Sequence, residues 1–125
     1  MTAPVILEYN LDNAQKLKLH FICAQLKIVL RSVPRTDYNQ PVGALAGLSP
    51  RRENPQACGS FSDEMLVMAN FTGALLNAFL NAMRQAKMPA VPLKAVITPS
   101  NAAWDSVRLH DEIRAEHEAM HGGKK

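Results

Sequence analysis

Residues 5–10 read VILEYN, and residues 65–70 read MLVMAN, which repeats the length, the apolar character and the closing asparagine of the first stretch. Short apolar runs of this kind predict β-strands. A helical pattern follows each run, with apolar residues at helical spacing over 14–26 and again over 75–83. Suitable N-cap residues precede both patterns: Asn10 or Asp12 in the first, Thr72 in the second. The chain therefore shows the same β-α unit twice.

Each helical pattern is followed by a second strand candidate that ends in a proline, at 28–34 and at 93–99. Two β-α-β units in series fit the ferredoxin-like fold, an antiparallel four-stranded sheet with both helices on one face. A duplicated ferredoxin-like α/β (α+β) fold is therefore expected, with an added C-terminal helix over about 102–121 that Ser100 or Asn101 would cap. The alternative is a small three-layer parallel sheet. It stays open because the first and third strands are nearly continuous apolar runs, which is typical of strands covered on both faces.

The domain organisation follows from length and from this pattern. With 125 residues, of which 47% are apolar, the chain has the size and the core material of one domain. The two β-α-β halves, at about 4–34 and 65–99, are joined by a long loop over about 35–64. Within that loop, Pro41 predicts the start of one helical turn through 42–46. The segment 49–55 is expected to be exposed.

Charge and cysteine content narrow the class of protein. The formal net charge of +3 comes from 14 basic and 11 acidic residues scattered along the chain, which disfavours nucleic acid as a partner. Two cysteines, Cys23 and Cys58, are too few for a disulfide framework. The N-terminus lacks the basic region of a signal peptide, and no run reaches the ~18 apolar residues of a membrane span. These features predict a cytoplasmic protein with no membrane partner.

Residues 117–121 read HEAMH, which satisfies the zinc-protease pattern H-E-x-x-H. In that chemistry two histidines bind the metal, the glutamate acts as base, and a third protein ligand completes the site. Residues 122–125 supply no such ligand, and His110 would lie about 10 Å from His117 along a helix axis. The glycines at 122–123 are also expected to end the helix directly after His121. The pattern therefore favours the tail of an amphipathic helix over a metal site at His117 and His121, and no cofactor is expected.

Polar side chains gather at the two predicted strand exits, and loops at strand ends often carry binding residues. They offer cationic groups for an anion, amide and hydroxyl groups, and two aromatic platforms. The candidate ligand-binding residues are Arg31, Arg35, Asp37 and Tyr38 in the first half, and Lys94, Thr98, Ser100, Asn101 and Trp104 in the second. The competing interpretation is structural: the prolines end strands, Ser100 or Asn101 caps the last helix, and the aromatic side chains fill the edge of the core. No catalytic residue is assigned.

Several stretches together resemble a small bacterial family known only as a domain of unknown function. They are Leu7-Glu8-Tyr9, Asp37-Tyr38 with Pro41 and Gly43 after it, PLKAVITPSNAAW at 92–104, and Glu116-His117-Glu118. The stretch at 92–104 is the most specific of them. The resemblance implies a single-domain bacterial protein of about this length, in which HEAMH forms the tail of the last helix. It implies no activity and no catalytic residue.

The residues favour a non-catalytic module that binds a small anionic ligand or a protein partner, with a homodimer through an open sheet face as one arrangement. The alternative is a metal-dependent hydrolase, in which His117 and His121 bind the metal and Glu118 is the base. A third possibility is an interaction module without a pocket, whose contact surface is the loop at 35–64.

Overall fold

The computed structural model describes residues 3–53, 56, 59–88 and 91–121. In chain order, the elements are β1 (Val5–Tyr9), α1 (Asn13–Leu26), β2 (Val29–Ser32), a 3₁₀ turn (Arg35–Asp37), α2 (Val42–Leu45), β3 (Met65–Ala69), α3 (Gly73–Gln85), β4 (Leu93–Val96) and α4 (Ser106–His121). The helical turn predicted after Pro41 is present as α2. The last helix begins at Ser106 rather than near residue 102, because residues 98–104 form turns first.

Some predictions fall on residues outside this description. They concern Cys58, the end of the exposed segment at 54–55, and the glycines at 122–123 that were expected to end the last helix. Cys23, by contrast, is a buried free thiol. Among the described helices, none combines the length and the apolar character that crossing a membrane requires.

The four strands form one mixed sheet in the order β2-β1-β3-β4. β1 and β2 run parallel, β3 and β4 run parallel, and the two central strands β1 and β3 are antiparallel. The ferredoxin-like arrangement is therefore not confirmed, because each half keeps its own two strands side by side instead of contributing them to an antiparallel sheet. The helices α1 and α3 supply the crossovers that neighbouring parallel strands require. The all-parallel alternative is also wrong, since the halves meet in opposite directions.

Both faces of the sheet are covered, which explains the continuous apolar runs of β1 and β3. On one face Ile6 and Leu66 pack into a core with α1 and α3. On the other, Leu7 and Val67 pack into a core with α2 and α4. The three layers of the alternative prediction are thus present, but around a mixed sheet. A homodimer stays a prediction, and it would need a surface other than a bare sheet face.

The two halves repeat the same backbone features at an interval of 60 residues. Asn10 and Asn70 leave their strands in the left-handed region, with φ of 65° and 63°. Lys27 and Lys87 follow their helices in the same region, with φ of 59° and 56°. Asparagine tolerates this conformation better than most residues, which explains why both strand patterns close on one.

The pairing of the central strands relates the two halves by an approximate two-fold axis. Leu7 of β1 pairs with Val67 of β3, which is its own counterpart 60 residues further on. The helices that follow also begin alike, since Asp12 and Thr72 each accept a hydrogen bond from the backbone amide three residues later. Counterpart positions in the two halves can therefore be compared directly.

Candidate functional site

The segments that follow the two strand exits meet along their backbones. The amides of Val42 and Gly43 donate to the carbonyls of Trp104 and Ala102, at 2.8 and 2.9 Å. Glycine suits this contact, because a Cβ atom at Gly43 would lie 3.0 Å from the carbonyl oxygen of Ala102 and the backbone there would have to shift. The contact joins the loop after β2 to the turns before α4, although β2 and β4 themselves lie at opposite edges of the sheet.

The second-half candidates at 98–101 satisfy one another within a single turn. The Oδ1 atom of Asn101 accepts from the amide of Thr98 at 2.9 Å, and its Nδ2 atom donates to the carbonyl of Val96 at 3.1 Å. Ser100 is exposed at the tip of this turn. These contacts agree with the structural interpretation of the turn, although the side chain that caps α4 is a different one.

That cap is Asp105, whose Oδ1 atom accepts from the amide of Arg108 at 2.8 Å. The guanidinium of Arg108 lies 4.3 Å from the centroid of the Trp104 ring, so a cation-π contact already covers this candidate. Lys94 donates to the carbonyl of Val91 at 2.5 Å, and burial lowers the pKa of its ammonium group. Trp104 and Lys94 are thus each engaged within the second half.

Two candidates from the first half form hydrogen bonds with the long loop, one from the sheet and one from within the loop. Arg31 donates from Nη1 to the carbonyl of Leu45 at 2.8 Å. Asp37 accepts two hydrogen bonds from the guanidinium of Arg51, at 3.1 and 3.3 Å. Both contacts hold the loop, so these two side chains have a structural role whether or not a ligand binds.

Arg35 and Tyr38, in contrast, line a cavity of about 480 Å³ at the carboxyl ends of β1 and β2, beside the first turn of α1. The crevice outside the carboxyl ends of parallel strands is the common position for ligands in open α/β sheets. We call this cavity the strand-exit pocket. Its other lining residues are Glu8, Asn10, Lys16, Ser32, Val33 and Pro34. None of the candidates from the second half is among them.

The most buried charged group of the strand-exit pocket is Glu8, of which only 2% is exposed. The hydroxyl of Ser32 donates to its Oε2 atom, and the Nζ atom of Lys16 lies 3.6 Å from the same oxygen. Among the described residues, Oε1 has no hydrogen-bond partner. Because Glu8 lines the pocket, that oxygen is available to a ligand.

Tyr38 forms the aromatic wall of the same pocket. Burial raises the pKa of its phenol, and the hydrogen bond to Asn10 and the charge of Arg35 partly offset that rise. Its hydroxyl lies 3.4 Å from Oδ1 of Asn10, the left-handed residue after β1. Asn10 in turn donates from Nδ2 to the carbonyls of Phe61 and Asp63. The wall of the pocket is therefore fixed to the segment that leads into β3.

The second half carries apolar side chains where the first half carries the polar groups of the pocket. Glu8 pairs with Ser32 across the parallel strands of the first half, and Met68 pairs with Val96 at the same place in the second. On the helices, the interval of 60 residues places a leucine opposite the lysine. The interval of 60 residues relates Glu8 to Met68 and Lys16 to Leu76. Ser32 and Val96 are counterparts because they pair with Glu8 and Met68, respectively. The backbone frame therefore does not require the polar groups.

His117 and Glu118 of the HEAMH stretch line a second cavity, of about 380 Å³, with Asp63 and Glu64 among its other walls. Arg114 donates from Nε to Glu118 at 3.2 Å. Within the described part of the chain, no three or more His, Cys, Asp or Glu side chains are grouped so that they could hold a metal ion. The side chain of His121 lies outside that part.

The sequence interpretation missed His110, which is buried beside this second cavity. Its Nε2 atom lies 2.8 Å from Oδ2 of Asp63, and its Nδ1 atom lies 3.0 Å from Oδ1 of Asp111. The imidazole stacks on Phe61 with ring centroids 4.0 Å apart. On a helical wheel, His110 lies only at the border of the apolar stripe. Asp63 contacts it from a segment outside the helix, so the local sequence could not predict this contact.

Glu8, Lys16 and Ser32 of the pocket were also missed, and here a signal existed. Glu8 is the charged residue inside an apolar run that was itself interpreted as covered on both faces. A charge at such a position must be buried, and buried charges are paired or functional. Lys16 and Ser32 become relevant only once the strand order brings them to Glu8.

Residues 64–120 match the model of a family described as a domain of unknown function (DUF3783). For that segment, the match confirms the resemblance to a domain of unknown function. Searches of curated proteins and of solved structures find no match. The matched segment contains β3, α3, β4 and most of α4, whereas the lining of the strand-exit pocket lies within residues 8–38. The family therefore covers the half that lacks the polar pocket.

Proposed function

We propose that the protein is a non-catalytic cytoplasmic module that binds a small anionic ligand in the strand-exit pocket. One observation carries the proposal: the pocket has polar groups where the equivalent half has apolar ones. A buried carboxylate with a lysine partner contributes little to stability, and apolar residues of similar volume often serve the fold as well or better. A ligand explains their presence better than folding does.

The charge of the pocket favours an anion. Lys16 and Arg35 bring two positive charges, and Glu8 brings one negative charge. Lys16 lies next to Glu8, so Arg35 is the group best placed to receive an anionic ligand. Its planar guanidinium suits the paired oxygens of a carboxylate or a phosphate.

A binding role is favoured over catalysis by the kinds of side chain present. The described lining contains neither histidine nor cysteine, the side chains that most often act as base or nucleophile near neutral pH. The volume of about 480 Å³ lies within the range of small-molecule sites, ~300 to 1,000 Å³.

The test is a thermal-unfolding screen of the purified chain with phosphate, acetate, citrate and short dicarboxylates. A ligand present at 100 times its Kd adds about 2.7 kcal/mol to the free energy of unfolding, which raises Tm by several degrees. Arg35→Gln should remove this rise. Arg84→Gln, which deletes the same charge on α3, is the matched control and should keep it. No rise with any compound that carries an anionic group, including those that also carry an ammonium group, or an equal loss in both variants, would refute the proposal.

The alternative function, a metal-dependent hydrolase, is tested with the same preparation. In that case His117 and His121 bind a metal and Glu118 acts as base. Metal analysis of the wild-type chain and of His117→Ala separates the two functions. Stoichiometric zinc that the substitution removes would replace the binding proposal.

A further inference from the structure

We infer that the ligand of the strand-exit pocket carries an ammonium group close to its anionic group, and that the carboxylate of Glu8 receives this ammonium. The chemical class is that of small amino acids and aminophosphonates. The inference rests on the proposed function, because it names the ligand of the same pocket.

The environment of Glu8 gives the first reason. Ser32 and Lys16 both approach Oε2, so within the described residues Oε1 is the oxygen left for a further donor. A carboxylate can accept about four hydrogen bonds, and it binds charged donors most strongly. Among the described residues, Oε1 of Glu8 is not a buried atom without a partner, so it is accessible from the pocket that Glu8 lines. An ammonium group of the ligand can bind it there.

The charge balance gives the second reason. A ligand that carries only negative charge would bring that charge close to the carboxylate of Glu8. Lys16 lies 3.6 Å from one oxygen of this carboxylate and offsets only part of the repulsion. Like charges at close range repel, and the repulsion grows where water is excluded. A ligand with both signs avoids this cost, because its anionic group can contact Arg35 while its ammonium contacts Glu8. Both side chains line the same cavity.

The second half gives the third reason. At the counterpart position Met68 is buried to the same 2% exposure, so this place in the sheet accepts an apolar side chain of similar length. Glu8 is therefore not needed to fill the space. It also follows that Glu8→Met is a suitable test variant, since it should leave no void and no unpaired charge in the core. The partly exposed Lys16 would remain solvated.

The experiment compares ligands that differ by one ammonium group: glycine against acetate, alanine against propionate, and 2-aminoethylphosphonate against ethylphosphonate. Affinity is measured by NMR titration of the full chain. The wild type should bind the amino member of each pair about tenfold more tightly, the effect of one hydrogen bond between charged groups. Glu8→Met should reduce this ratio to about one while anion binding through Arg35 persists. Glu8→Gln, which keeps the shape and an acceptor but not the charge, is the second variant if Glu8→Met does not fold.

The outcomes separate the two proposals. Equal binding of both members of each pair by the wild type would overturn the inference and leave the anion-binding function standing. A preference that survives in both Glu8 variants would also overturn it. If no compound of either kind binds the wild-type chain, the inference and the proposed function both fail.

Discussion

The first and second halves of the molecule share a backbone conformation and differ in the side chains at the end of their second strand. Both halves leave a strand through a left-handed asparagine, cap a helix with the side chain two residues later, and return to a parallel strand. At the end of that second strand, the first half opens a polar pocket around Glu8. The second half closes into a turn in which Thr98 and Asn101 satisfy each other. The repeated turn residues give both halves the same backbone conformation, but only the first half carries polar side chains at the end of its second strand.

Exchange of counterpart residues tests this comparison most severely. Met68→Glu would bury a carboxylate where Leu76 and Val96 offer it no partner, so we expect a loss of about 3–5 kcal/mol in the free energy of unfolding at pH 7. Glu8→Met is the reciprocal exchange and should change that free energy by less than about 1 kcal/mol. Urea denaturation of both variants measures the difference.

The pH dependence of Met68→Glu supplies its control. A buried carboxyl without a partner has a folded-state pKa above its unfolded value of about 4.3. The deficit should therefore be smallest below about pH 4, where only the cost of burying the neutral carboxyl group remains, and grow as the pH rises. If Met68→Glu is as stable as the wild type at pH 7, the second half can accommodate the charge. The polar groups of the first half would then not distinguish the two halves.

Tyr9 gives the next effect in size, because its counterpart Ala69 has no polar group at all. The hydroxyls of Tyr9 and Ser106 share a buried hydrogen bond of 2.7 Å. Tyr9→Phe leaves the Ser106 hydroxyl buried without this partner and should cost about 1–3 kcal/mol at pH 7.

Alkaline pH should narrow that difference. Burial raises the pKa of the Tyr9 phenol above its ordinary value of 10.0. The stability that the neutral phenol contributes is thus complete below pH 10 and is lost as the pH rises further. Tyr9→Phe lacks this loss, so its deficit relative to the wild type should shrink above pH 10 in pH-dependent urea denaturation. A constant deficit would show that Tyr9 ionises as freely as in the unfolded chain.

The two left-handed asparagines allow a finer comparison. Glycine accepts the same backbone conformation, so Asn→Gly at either position mainly removes side-chain hydrogen bonds. Asn10 donates to the carbonyls of Phe61 and Asp63, whereas Asn70 donates to Ala3 in an exposed setting. We expect a cost of about 1–2 kcal/mol for Asn10→Gly and within about 0.5 kcal/mol for Asn70→Gly. Equal costs in thermal unfolding would mean that the backbone, not the contact to the segment before β3, decides both positions.

The smallest expected effect concerns Cys23 on α1, whose counterpart on α3 is the buried Met83. Burial raises the pKa of the Cys23 thiol to about 12. At pH 8 roughly one thiol in 10⁴ is then ionised, so alkylation by iodoacetamide should be about a thousandfold slower than in the unfolded chain. Mass spectrometry of a Cys58→Ser variant isolates this site. Rapid labelling of the folded protein would show that α1 opens readily.

Local features were predictable, since they depend on neighbours in the chain. The period of apolar residues located the strands and the long helices, and Pro41 located the short α2. The strand order was not predictable in this way. A β-α-β pattern is the same in sequence whether its two strands are adjacent or separated by a strand of the other half, and only the pairing of β1 with β2 and of β3 with β4 decides between them.

The residues of the candidate site also separate into those that local sequence predicted and those that depended on strand order. Arg35 and Tyr38 were named from their position after a strand, and both line the pocket. The sequence left open whether the two exits share one set of side chains, because that depends on strand order; the structure places β2 and β4 at opposite edges. Glu8 carried a visible signal as a charge in an apolar strand. Its partners Ser32 and Lys16 did not, because they reach it from a neighbouring strand and from the next helix.

The sequence by itself determined the repeated β-α-β unit, its asparagine exits and the apolar character of both central strands, since these follow from short-range periodicity and backbone preference. Only the tertiary structure decided which strands are neighbours, that both sheet faces are covered, and that one half forms a polar pocket where its counterpart has apolar side chains. Those outcomes depend on contacts between residues far apart in the chain, such as Glu8 with Ser32 and Leu7 with Val67. No local pattern encodes such contacts, because the free energy that selects them comes from burial and pairing in the assembled molecule.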